Sequence, residues 1–113
     1  MFQVKFFKSV KGEEYAYEFI KGLQQHIRER ITANIQYLHD HGNLARRPYV
    51  EYLGNKVYEL RTACAHLEIR ILYFFDDRLI ILTHGFLKKT DATPRNEIER
   101  AQKIRVDYFK QKD

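Results

Sequence analysis

The sequence predicts an α+β fold, a small antiparallel sheet with two N-terminal helices packed on one face and a C-terminal helix. Three observations point to it. Leu23, Ile27, Ile31, Ile35 and Leu38 recur at three- and four-residue spacing, as the apolar stripe of a surface helix does. Three strand candidates, Val57 to Thr62, His66 to Phe75 and Arg78 to Phe86, follow one another with little between them, which suits a meander. Thr93-Pro94 then offers an N-cap and a first helical residue, ahead of a stripe of Ile98, Ala101, Ile104 and Tyr108.

The other elements follow in order. Phe2-Gln3-Val4-Lys5-Phe6-Phe7 alternates apolar and polar residues before doubling its aromatics, which reads as a first strand. Glu13 and Glu14 open a first helix, their charges suited to the positive end of its dipole, and Tyr15, Phe19 and Ile20 give it an apolar face. The long helix ends at His41-Gly42-Asn43, where Gly42 can adopt a left-handed conformation. Tyr49 to Asn55, with Pro48 before it and Gly54 within it, reads as an irregular connection. Asp76-Asp77 supplies a tight hairpin turn between the last two strands.

A chain of 113 residues suits one domain, expected to span 1–113. Its 44% hydrophobic content is enough to offset the entropy of ordering. A net charge of +5 favours an anionic partner: nucleic acid, an acidic membrane surface or an acidic protein. Arg70 interrupts the longest apolar run, which is far too short to span a bilayer, and nothing after Met1 resembles a signal peptide. A cytoplasmic location is expected. Cys64 is the one cysteine and the five histidines are scattered, so neither a disulfide, a metal site nor a cofactor is expected.

A meander with so few helices leaves one sheet face partly open, and strand alternation decides which side chains reach it. Glu59 and Arg61 share a face, as do Glu68 and Arg70. The two pairs converge if the intervening turn has the right parity, and face apart otherwise. Cross-strand ion pairing on a solvated face is the simplest role for them. Simple pairing across Asp76-Asp77 opposes Ile69 to His84 and turns that histidine toward the core. Phe86, Lys88 and Lys89 lie where the last strand runs out, and cations beside an aromatic ring suit phosphate and base. A solvated charge run would look the same. Arg46 and Arg47 either extend the basic track or decorate a loop.

The stretches Val57-Tyr58-Glu59-Leu60-Arg61, Ile69-Arg70-Ile71-Leu72-Tyr73-Phe74, His84-Gly85-Phe86-Leu87-Lys88-Lys89-Thr90 and Thr93-Pro94-Arg95-Asn96-Glu97-Ile98-Glu99-Arg100-Ala101 resemble the HigB-like, phage-derived branch of the RelE/ParE toxin superfamily. The first half resembles it only in layout. The resemblance implies a type II toxin: a metal-independent mRNA endoribonuclease, ribosome-dependent or free, of a kind that usually acts in the ribosomal decoding site and is neutralised by a helix-turn-helix antitoxin. It matches Arg61 and Arg70 to the family's strand arginines and Lys88 and Lys89 to its basic pair; catalysis is placed on Arg61, Arg70, Glu59 and Lys89, with Glu59, Lys89 or His84 exchanging protons, or Glu59 only positioning Arg61. RNA contacts fall to Lys56, Phe86, Lys88, Arg46 and Arg47. The alternatives are a ParE-like inhibitor of DNA gyrase without chemistry, or a basic RNA- or protein-interaction module. Fixed cations suit the ribonuclease because in-line attack by a 2′-hydroxyl gathers charge on the non-bridging phosphate oxygens. A solvated Arg70 would also be replaceable by alanine at little cost in stability.

Overall fold

The computed structural model describes residues 1–112. Its elements are β1 (Gln3–Phe6), α1 (Tyr15–Lys21), α2 (Gln25–His41), a 3-10 turn (Gly42–Leu44), β2 (Val50–Gly54), β3 (Val57–Cys64), β4 (Leu67–Asp76), β5 (Leu79–Leu87) and α3 (Arg95–Lys112). The strands form one sheet in the order β1-β5-β4-β3-β2. The expected meander is β3-β4-β5, antiparallel throughout. β1 lies parallel to β5 at one edge, so the sheet as a whole is mixed.

One expected loop is a strand. The stretch read as irregular contains β2, which pairs antiparallel with β3 through Val50–Leu60, Glu51–Glu59 and Tyr52–Tyr58. Pro48 stands just outside the strand, where its missing N–H costs no ladder bond. Gly54, at φ +97°, opens the turn into β3, and Asn55 and Lys56 follow it with φ of +48° and +68°. Two positive φ values in a two-residue loop match the twist of a hairpin. Ala65 and His66 make a second such turn at +51° and +68°, so His66 belongs to the turn and not to β4.

The two faces of the sheet carry different cores. On the first, Ile27, Ile31 and Leu38 of α2 and Ala16 of α1 pack against Leu60, Ile69, Ile71, Tyr73, Ile80 and Leu82. Each such aliphatic side chain contributes about 1.5–3 kcal/mol by leaving water. The predicted stripe of α2 is the one it buries, and Gly42 closes the helix at φ +55°. On the second face α3 rests on Phe74 and Ile81 through Ile104, and on Val57 and Leu72 through Ala101. The face expected to stay open is therefore covered over much of its area, and the open part is the end near the β3–β4 turn.

α3 is fixed at both ends by polar contacts. Near its C-terminus the Tyr108 hydroxyl and the Lys112 ammonium donate to Asp76 at 2.7 and 2.8 Å. Lys112 chiefly, with Tyr108, holds the Asp76 carboxyl below its ordinary value. Near the N-terminus Glu97 meets His84, and the Thr93 hydroxyl, expected to cap the helix, donates to Glu59.

Gly85 lies under α1, where a Cβ would run into the ring of Phe19. Gly85→Ala is expected to destabilise the fold by about 1–3 kcal/mol, the usual range for overpacking. Urea denaturation would show a lower midpoint at unchanged slope, and an unchanged midpoint would mean that α1 moves aside freely.

Candidate functional site

Two rows of the β-ladder, two residues apart on one face, assemble the site. The two-residue turn at Ala65-His66 sets Arg61 directly opposite Arg70, and Arg70 in turn opposite Phe86 of β5. The neighbouring row runs Glu51, Glu59, Leu72 and His84 across four strands. Arg61, Arg70, Glu59 and Glu68 consequently share one face, the convergent outcome that turn parity left open.

His84 reaches the same face by a bulge. Tyr73 pairs with Leu82 but Leu72 pairs with His84, so Thr83 is the extra residue. Its hydroxyl lies 3.0 Å from the Leu72 carbonyl oxygen. The inserted residue turns His84 away from the α1–α2 core and under α3, which corrects the simple pairing. The turn itself is Asp77-Arg78, one residue later than Asp76-Asp77.

The arginines are not free cations. Arg61 Nε donates to Glu59 Oε2 at 3.0 Å, and its Nη2 lies 3.8 Å from Glu51. Glu51 also binds Arg47 at 2.6 Å. Arg70 Nη2 donates to Glu68 at 3.3 Å, Nη1 donates to the Ile69 carbonyl at 3.0 Å, and Nε lies 3.7 Å from Glu59 without a hydrogen-bond acceptor. Three arginines and three glutamates therefore alternate across the strands.

Burial separates their roles. The Arg61 side chain is 32% exposed but that of Arg70 only 5%, and Glu59 is 1% exposed. Arg70 and Glu59 thus depart from the solvated surface expected of them. Glu59 accepts from Arg61 and Thr93 and pairs with Arg70, so it is spent on holding side chains in place. Phe86 is half-buried against Val57, Leu72 and Ala101 and stacks on His84 at 5.9 Å, which leaves it unsuited to receive a base.

The remaining predicted residues divide by position. The Lys88 amide bonds to the Glu68 carbonyl at 2.7 Å, which brings Lys88 and the exposed Lys89 to the same end of the sheet as Arg61 and Arg70. Arg46 and Arg47 are exposed in the loop before β2, also near Arg61, whose amide bonds to the Tyr49 carbonyl. Lys56 lies apart, in the turn at the other end of β3. Five residue steps along the chain separate it from Arg61, roughly 17 Å at the usual rise.

Arg61 and Arg70 face a cleft of about 420 Å³ whose other walls are Arg30, Asn34, Pro48, Tyr49, Ala63 and Glu68. Arg30, Asn34 and Tyr49 were absent from the predicted set. The first two are one turn apart on α2, on a side that reads as solvated, and only the end of β2 short of Thr62 exposes the β3 edge to them. Asn34 Nδ2 donates to the Arg61 carbonyl at 3.0 Å and to the Thr62 hydroxyl at 2.9 Å. Among the described residues no cluster of His, Cys, Asp or Glu could hold a metal ion, and no helix is long and apolar enough to cross a membrane.

Burial, together with the nearby Arg100, pushes the His84 imidazole down to about 4, against the raising effect of its 2.9 Å contact with Glu97. Because the folded value lies below the unfolded one, the unfolded chain binds the proton more readily below about pH 6.5. The stability tied to neutral His84 is fully present above that pH and is lost as pH falls toward 4. The change is on the order of 3 kcal/mol. Denaturation curves at pH 7 and 4.5 should show the loss for the native chain and a smaller one for His84→Gln, and equal losses would place the titration elsewhere. Arg70→Ala should cost about 3 kcal/mol, because it leaves the buried Glu59 with one cation fewer. A thermal melt within a degree of the native chain would show Arg70 to be as dispensable as a solvated residue.

A family model described as "Phage derived protein Gp49-like (DUF891)" matches residues 18–106. The match runs from within α1 to within α3 and includes every wall of the cleft. No curated protein matches the chain.

Proposed function

Since the chain belongs to the phage-derived Gp49-like family, a family of RelE/HigB-like toxins, we propose that it is a HigB-like toxin whose single domain cleaves mRNA on the ribosome without a metal ion. The observation that carries this reading is the in-register pair Arg61–Arg70 facing the cleft with Arg30. Membership of a toxin family implies an antitoxin partner. In this reading the partner is a helix-turn-helix protein, and the toxin acts in the cytoplasm.

The chemistry asks for fixed cations around the scissile phosphate and for groups that move two protons. Arg61 is the more exposed member of the pair; Glu59 grips its Nε, and its Nη2 lies 3.8 Å from Glu51, beyond hydrogen-bond reach, so the Nη edge has donors left for a ligand. A guanidinium held this way binds two phosphate oxygens through parallel donors and stabilises the charge that develops during attack. Arg70 acts behind it as a positioning residue. Glu68 lines the cleft with a half-exposed carboxylate and can take the 2′-hydroxyl proton, a role the buried Glu59 is not free to fill. Lys89 can protonate the departing oxygen, while Lys88, Arg46 and Arg47 hold flanking phosphates.

One observation favours a second reading, the ParE-like gyrase inhibitor: Glu51, Glu59 and Glu68 already occupy the arginines. Pulse labelling after induction in bacteria separates the two. Early loss of protein synthesis with newly cut mRNA is expected, whereas early loss of DNA synthesis would establish the gyrase reading. Arg61→Ala should lower cleavage by about a hundredfold or more, the usual loss for a charge-stabilising donor. Arg61→Lys should recover only part of it. Full cleavage by folded Arg61→Ala would remove the proposed site.

A further inference from the structure

Tyr49 sits at the mouth of the cleft in a way that the arginine ladder does not explain. It is 41% exposed, yet its ring is supported: Tyr37 of α2 packs on it at 4.6 Å, with His41 stacked on Tyr37 at 4.1 Å. Its backbone carbonyl accepts the Arg61 amide at 2.8 Å. The structure thus places a braced, solvent-facing aromatic ring beside the arginine directed at phosphate. An exposed ring on a rigid mount is what base stacking requires, and it loses little freedom on binding.

Asn34 supplies the second half. A backbone carbonyl and Nδ2 can meet only with the amide group as donor, so the 3.0 Å contact with the Arg61 carbonyl fixes the orientation of the side chain. Its second N–H is used by Thr62. Oδ1 is left as an acceptor without a partner among the described residues, in a side chain that lines the cleft. An acceptor there favours a base edge carrying an exocyclic amine. Uracil, whose two carbonyls flank its one ring N–H, fits it least.

We infer that this cleft seats one nucleotide of single-stranded RNA, with its base stacked on Tyr49, its edge read by Asn34 Oδ1 and its phosphate held between Arg61 and Arg30. This rests on the ribonuclease reading and adds the subsite that selects where the strand is cut. Arg30 is exposed and has no ion-pair partner among the described residues, which leaves it available for phosphate. Glu68, on the opposite wall, is paired with Arg70, so three cations line the cleft against one carboxylate.

The test is the position and rate of cleavage on a reporter mRNA in a cell-free translation reaction, read by mapping the 5′ ends of the fragments. The native chain is expected to cut at sites where one fixed position next to the scissile bond is rarely uracil. Tyr49→Ala should cut about tenfold more slowly, the loss of one base–aromatic stack, whereas Tyr49→Phe, which keeps the ring, should recover most of that loss. Asn34→Ala should lose the bias against uracil. Because Asn34 also ties α2 to β3, a melting curve accompanies that variant, and the Tyr49 pair stands as the test if it unfolds. Native-rate cutting by Tyr49→Ala, or no uracil bias in the native map, overturns the inference and leaves the ribonuclease reading intact. No cutting by the native chain overturns both.

Discussion

A carboxylate buried to 1% exposure inside a sheet must be surrounded by partners, because an unpaired charge there costs several kcal/mol. Glu59 is that group, and much of the molecule is arranged around it. β3 itself provides Arg61, β4 provides Arg70, and the residue preceding Pro94 provides the Thr93 hydroxyl. These partners come from three separate segments. The β3–β4 register, the approach of α3 and the aim of the exposed arginine are therefore coupled through one side chain. A slip of one residue between β3 and β4 would send Arg70 to the apolar face and leave Glu59 with half its neutralisation.

The helices and the meander were legible because they follow from periodicity, a property that a sequence carries openly. Ile27, Ile31 and Leu38 are buried as their spacing requires, and Ala101 and Ile104 mark the seat of α3. The features that build the site depend on something less visible. Ala65-His66 takes two positive φ values without the Asn or Gly that announces such a turn, so no residue pattern announces the parity that joins Arg61 to Arg70. Thr83 is an ordinary strand residue by composition, yet as a bulge it moves His84 from one face to the other. β2 was hidden by Pro48 and Gly54, both of which sit where a strand tolerates them.

Counting cations overstated how much positive charge the site presents. Lys and Arg outnumber Asp and Glu by 20 to 15, and the predicted site contained seven basic residues at its expected rim and centre. In three dimensions Arg47, Arg61 and Arg70 lie within 4 Å of glutamates, and their charge is largely answered before any ligand arrives. Arg30, Lys88 and Lys89 have no such partner among the described residues. In the proposed ribonuclease reading, long-range attraction for an anion therefore comes from the rim, and the paired arginines act at short range, where geometry matters more than net charge.

The placement of α3 explains why the polar face divides in two. Its N-terminal half covers the row of Glu59 and His84, where Ala101 is small enough to rest on Leu72 and Val57, and Glu97 comes within reach of the imidazole. Beyond that row the helix leaves the sheet uncovered, and the next row, Arg61 and Arg70, borders the cleft. Two residues along β3 thus separate a buried, structural carboxylate from a part-exposed guanidinium that faces the cleft. The short distance is useful: the Arg61 side chain is oriented by a group that solvent cannot screen, while its outer edge remains in water. An arginine with only solvated neighbours would have to be ordered by the ligand itself, at a cost in side-chain entropy on each encounter. Here most of that ordering is done when the chain folds.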